Sequence, residues 1–181
     1  MHAAEHDVDP AIASSLGFPK REYFVVELER RWICRDVPRS LIRETFTVND
    51  RYVDGARLRL REMRPVGRGP GLLRLTRKAD VDSHTRLITS IYLPEDELAV
   101  LAAVLPGATL KKVRHRLEAP PRVMLSVDEF QGELAGLVLL EAEFQNTDEL
   151  ARFEAPSFAV REVTEDPRYT GGQLVRRGIP R

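Results

Sequence analysis

The chain has 181 residues, enough for one domain with a sizeable core. Its 28 Lys and Arg balance 28 Asp and Glu, so no net charge steers it toward nucleic acid or an anionic membrane. A single cysteine, Cys34, excludes an intrachain disulfide and a Cys-rich zinc site, and the four histidines (His2, His6, His84, His115) form no metal-ligand spacing.

No apolar run reaches the length of a spanning helix, and Met1 to Pro19 lacks the apolar core of a secretory signal, so a cytoplasmic setting and no membrane are expected. Residues 1–21 read as a flexible lead-in, with a single domain over 22–181. The first strand spans about 22–34. Strand alternation puts Glu27, Glu29 and Arg31 on one face and Val26, Leu28 and Trp32 on the other. Pro38 breaks it. Residues 41–53 are rich in β-branched and aromatic types and read as strand, and Asp54-Gly55 is a hairpin signal. The strand over 56–63 sets Leu58 and Leu60 opposite Arg57, Arg59 and Arg61. After a Gly-rich turn at 67–71, the strand over 72–78 sets Leu73 and Leu75 opposite Arg74, Thr76 and Lys78, and 85–93 continues the pattern.

Pro94-Glu-Asp-Glu opens a helix, since proline suits the first position and acids the first turn. Leu98, Leu101 and Leu105 give its apolar stripe and Gly107 ends it. The strand over 110–117 carries Lys112, Arg114 and Arg116 on one face. Pro120-Pro121 breaks it, and strands follow over 122–130 and 137–144. Asn146-Thr-Asp-Glu149 reads as a capping box for a short helix to Phe153. A last strand covers 158–164, and a tail runs through Asp166 to Leu174. About eight strands at hairpin spacing, with a few short helices, predict a mainly β (α+β) fold: an eight-stranded antiparallel sheet closed into a barrel.

Basic rows stand at Arg57/Arg59/Arg61, Arg74/Lys78 and Lys112/Arg114/Arg116. Acidic rows stand at Glu27/Glu29 and Glu141/Glu143, with Asp128 and Glu162 as single carboxylates. One such row is ordinarily a solvated face; five or six on a sheet long enough to close imply a polar lumen. Packed Arg and Lys repel one another unless a polyanion sits among them, and Arg forks bind phosphate oxygens bidentately. Carboxylates facing the same space repel phosphate unless a hard divalent cation intervenes, and oxygen-only donors select Mg2+ or Mn2+. The inventory suits a polyphosphate chain plus metal, and phosphoryl transfer needs mainly charge neutralisation and positioning. Arg61 reads as the arginine of its row nearest to a plain solvated position, His115 as an exterior or core-edge histidine, Trp32 and Phe144 as packing, and Cys34 as a small apolar side chain.

These residues resemble the CYTH superfamily, the triphosphate tunnel metalloenzymes. The family's Glu-x-Glu-x-Lys opening reads Glu27-Leu-Glu29-Arg-Arg31 here. The resemblance continues in order through Arg57-Leu-Arg59-Leu-Arg61, Leu75-Thr-Arg-Lys78, Lys112-Val-Arg114, Val127-Asp128-Glu-Phe130-Gln-Gly132, Glu141-Ala-Glu143-Phe144, Phe153-Glu-Ala-Pro156 and Glu162-Val-Thr164. It implies a tunnel barrel that hydrolyses triphosphate substrates, inorganic triphosphate in bacterial members of this size. It implies phosphate binding by Arg57, Arg59, Lys78, Lys112 and Arg114, and Mg2+ or Mn2+ held by Glu27, Glu29, Glu141 and Glu143. Catalytic roles fall on Glu29 and Arg31, with Asp128 and Glu162 as further partners for metal or lysine. The partner implied is a small-molecule triphosphate, with a homodimer by analogy alone. Two positions depart from the family. Arg31 replaces the signature lysine and takes no proton near neutral pH. Ser126 stands where many relatives carry an acid. Adenylyl cyclase, thiamine triphosphatase and a polyphosphate- or nucleotide-binding module without turnover are the alternatives.

Overall fold

A computed structural model of the chain describes residues 6–181. Nine strands form one antiparallel sheet: β1 (Val25–Cys34), β2 (Ile42–Val53), β3 (Leu58–Pro65), β4 (Leu72–Asp80), β5 (Thr85–Tyr92), β6 (Gly107–Leu117), β7 (Met124–Phe130), β8 (Val138–Phe144) and β9 (Ala159–Glu162). The ladder runs β5-β4-β3-β2-β6-β7-β8-β1 and closes where β5 pairs with β1. The expected eight-stranded barrel is therefore what forms. β9 is an addition to it: one edge of β1 pairs with β5 over Val25–Leu28 and with β9 over Trp32–Cys34.

Period-two alternation divides the side chains between two very different environments. Outward go Val26, Leu28, Trp32, Leu87, Val127, Leu140, Ala142 and Phe144, which are buried in the largest apolar cluster. α3 (Thr147–Arg152) helps cover it: Phe153, just beyond its end, packs edge-on against Phe144 at 5.2 Å between ring centroids. The Asn146 side chain accepts from Glu149 N at 2.9 Å, so the expected cap starts that helix.

The expected lead-in carries structure of its own over residues 10–21. Asp9 caps α1 (Pro10–Ser15) by accepting from Ala11 N at 2.7 Å, with proline at the first turn. Ala13 and Phe18 are buried in the outer core, and the Arg77 guanidinium stacks 4.4 Å from the Phe18 ring. The part of the lead-in over residues 1–5 lies outside the described residues. Gly107 does not end the helix α2 (Glu95–Val104); it begins β6, and its bare Cα is required there because a Cβ would stand 2.2 Å from the Tyr52 carbonyl oxygen. α2 buries none of its own residues, so its leucines form no core stripe. The tail folds too, as a 3-10 turn (Pro167–Tyr169) and α4 (Gly171–Arg177), with Tyr169 and Leu174 buried. No helix among the described residues is long and apolar enough to cross a membrane.

Candidate functional site

The inward faces of the strands enclose a cavity of about 430 Å3. β1 and β8 build its acidic wall. Their register sets Glu29 opposite Glu143 and Arg31 opposite Glu141, all pointing inward. Glu27 and Glu29 are buried. Lys78 Nζ lies 2.7 Å from Glu27 Oε2, and Arg86 bridges Glu29 and Asp80, with Nε 2.6 Å from Asp80 Oδ1. Burial by itself would raise the Glu27 pKa; the Lys78 ammonium outweighs it and brings the carboxyl down to about 2. Glu141 is likewise held well below the usual range, because Arg114 and Lys112 outweigh its burial. Glu143 goes the other way. Burial, with the Glu27 carboxylate beside it, pushes it up to about 7, and its Oε2 is buried without a hydrogen bond.

β3, β4 and β6 build the basic wall. Buried Asp50 grips Arg61 with two contacts of 2.6 Å and stands 3.8 Å from Arg59. Buried Asp128 binds Lys112, and binds Arg114 through two contacts of 2.7 Å. These two aspartates make a concentration of like charge tolerable. They do not neutralise all of it: Arg74 has no ion-pair partner among the described residues, and burial with Arg61 and Arg59 nearby depresses its pKa to about 10. Arg57 is exposed at the turn before β3 and lines the cavity.

Glu27, Glu29, Arg31, Arg57, Arg59, Lys78, Lys112, Arg114, Glu141 and Glu143 therefore all line one cavity, as the alternation of their strands expects. Arg61 is corrected: it is 3% exposed and is tied to Asp50, so it is no solvated position. Glu162 is corrected as well. It sits outside the barrel on β9, paired with Arg30 at 2.7 Å, and reaches neither the acidic wall nor a lysine. Asp128 is a lysine partner and an arginine partner at once. Sequence reasoning missed Asp50, which holds the arginine row from behind, and the cavity-lining Arg86, Tyr169 to Gln173 and Arg176, and gave Arg74 no role. Asp50 was readable: it shares the parity of Tyr52 and Val48 on a strand that a hairpin joins to the arginine row.

Arg31 departs most from expectation. Its Nη1 donates to the Tyr169 carbonyl at 3.0 Å, and its Nε stands 3.1 Å from Glu29 Oε1 in an ion pair that makes no hydrogen bond.

Among the described residues no three Asp, Glu, His or Cys side chains converge as a ready-made metal site, since Glu27, Glu29 and Glu141 are turned onto cations. The donor set nonetheless suits a hard divalent ion. Four carboxylates lie on adjacent strands, and one Glu143 oxygen is buried without a hydrogen bond among the described residues, an open oxygen donor for such an ion.

A closed antiparallel barrel whose lumen has one basic and one acidic wall defines the fold class, an eight-stranded tunnel barrel. No protein-family model matches the chain. It is 35% identical over 103 residues to an inorganic triphosphatase of Acetivibrio thermocellus, a match covering 56% of this chain and 64% of that protein. It is 32% identical over 84 residues to an inorganic triphosphatase of Nitrosomonas europaea, covering 46% of this chain and 56% of that protein. The chain thus spans less than two thirds of the length of the curated relatives it matches. Among solved structures, that of the inorganic triphosphatase NE1496 superposes with a TM-score of 0.57 at 22% identity, covering 86% of this chain and 97% of that one. The PH1819 protein from Pyrococcus horikoshii OT3 gives 0.55 at 21% identity, covering 69% and 82%. At these identities the likeness establishes the fold.

Proposed function

We propose that the lumen binds a small-molecule triphosphate, inorganic triphosphate first, and hydrolyses it to diphosphate and phosphate with the help of Mg2+ or Mn2+. The supporting observation is one cavity in which an under-neutralised arginine wall faces four clustered glutamates. Arg57, Arg59, Arg74, Lys112 and Arg114 bind phosphate oxygens; the arginine forks suit bidentate contact, Asp50 stands by Arg59 and Asp128 holds Lys112 and Arg114 in place beforehand. Lys78 exchanges its Glu27 partner for phosphate as the chain enters. Glu27, Glu29, Glu141 and Glu143 would hold the cation, which would supply neutralisation of phosphate charge and a more acidic water. Glu29 orients the attacking water. Arg31 stays protonated and takes no proton from it, so its contribution is to fix Glu29. The names of the two curated relatives favour inorganic triphosphate over an organic ester. A cytoplasmic setting is proposed with this activity, in keeping with one buried, unpaired cysteine.

The test is phosphate release from inorganic triphosphate, longer polyphosphate, ATP and thiamine triphosphate with each metal. Triphosphate should be the best substrate and a chelator should abolish its turnover. Cyclic AMP from ATP would move the reading to a cyclase. Tight triphosphate binding with no turnover on any substrate would move it to a capture module.

A further inference from the structure

Arg31 is bound from every side. It is 3% exposed. Its Nη1 donates to the Tyr169 carbonyl at 3.0 Å and its Nη2 makes a long contact of 3.5 Å to the Thr164 carbonyl. Its backbone holds the same segment: Arg31 N donates to Thr164 Oγ1 at 2.9 Å, and Val163 N donates to the Arg31 carbonyl at 2.8 Å. From there the chain crosses the end of the barrel at which β1, β2 and β7 finish. Tyr169 and Leu174 bury themselves against Leu110, Phe130 and Leu139. Gly171 abuts the Tyr52 ring so closely that a Cβ would stand 2.0 Å from its hydroxyl. The third arm of Arg31 is the ion pair to Glu29.

One guanidinium therefore joins a carboxylate of the acidic wall to two carbonyls of the C-terminal segment. A planar fork can serve three acceptors fanned around it at fixed angles. A lysine brings its donors to one atom and cannot reach all three.

We propose that Arg31 is a positioning residue: it latches residues 163–177 across this end of the tunnel, and the latched segment in turn fixes the orientation of Glu29 toward a divalent cation. The second half rests on the metal-dependent reading given above; the latch does not. Substituting lysine at this position frees the segment and lets Glu29 turn away while keeping the charge. Displacing the segment from its far side, by adding a methyl group at Gly171, has the same effect on Glu29 without touching either residue of the ion pair.

The experiment compares the native protein with Arg31→Lys and Gly171→Ala, by amide hydrogen exchange in the metal-free state and by Mn2+ titration in the absence of substrate. Exchange over residues 163–177 should rise at least about tenfold in both variants while the outer strands stay protected. Mn2+ affinity should fall about tenfold in both, as for the loss of a group that orients a metal ligand. Native exchange of this segment in Arg31→Lys overturns the latch. Raised exchange in Gly171→Ala with native Mn2+ affinity overturns the coupling to Glu29. Failure of the native protein to bind Mn2+ overturns the metal-dependent reading and the coupling with it, while the exchange arm still decides the latch.

Discussion

Arg114 on β6 grips Asp128 on β7 with two nitrogens, each 2.7 Å from a carboxylate oxygen, and reaches Glu141 on β8 with one of them. This contact joins the basic wall to the acidic wall, and Lys112 leans on the same aspartate.

Asp128 is accordingly a structural residue. Asp128→Asn leaves buried Lys112 with no ion-pair partner among the described residues and Arg114 with Glu141 alone, and removal of one partner from a buried ion pair costs about 3–5 kcal/mol. Asp50→Asn strands Arg61 in the same way and should cost a similar amount. Urea unfolding of both variants measures this. A loss below about 1 kcal/mol in either would mean that the arginine wall supports itself.

Glu143 makes the metal-free protein sensitive to pH. Its folded pKa of about 7 lies above the ordinary 4.5, so between those values the folded state binds more protons than the unfolded one. Stability from this group is full below about pH 4.5 and is lost as pH rises through 7, on the order of 3 kcal/mol. Glu27, brought down to about 2, contributes a constant amount over the same window. Thermal unfolding without metal should show Tm falling from pH 5 to pH 8, with Glu143→Gln flattening the fall and added Mg2+ reversing it. A metal-free Tm independent of pH over this range would contradict the account.

On the proposed function, Arg74 binds phosphate and contributes little to the fold. It is repelled by Arg61 and Arg59 and has no ion-pair partner among the described residues. Arg74→Ala should therefore raise the KM for inorganic triphosphate about 10- to 100-fold, the worth of a charge-assisted hydrogen bond, with Tm unchanged or higher. A drop in Tm with native KM would show the opposite division of labour.

Glu162 lies outside the site. Its pair with Arg30 is partly exposed, with side-chain exposures of 37% and 18%, and such pairs contribute under about 1 kcal/mol. Glu162→Gln should leave triphosphate turnover and its metal dependence unchanged. A large loss of turnover would place this residue in the mechanism after all.

The alternation of side chains in the sequence determined the barrel and the membership of its lumen. Strand period two is local, so the parity that puts Glu27, Glu29 and Arg31 together can be read from β1 alone, and likewise for Arg57, Arg59 and Arg61 next to β3. Asp9-Pro10 marks the start of α1 in the same local way, although the residues around it lack the long apolar period that identifies a helix. Which charges cancel is not local. Arg61 and Arg74 share a basic pattern and stand opposite each other on β3 and β4, yet Asp50 reaches only the first, because the β2–β3 register sets Asp50 beside Arg61. Glu162 matched a motif as well as Glu143 did, but β9 attaches outside the closed ring, so its side chain meets Arg30 instead of the lumen. The sequence by itself determined the strands, the closure and the two charged walls. Only the tertiary structure decided which cations are left without carboxylates, that Glu143 lacks a partner, and that Arg31 is committed to the C-terminal segment, because each depends on distances between strands far apart in the chain.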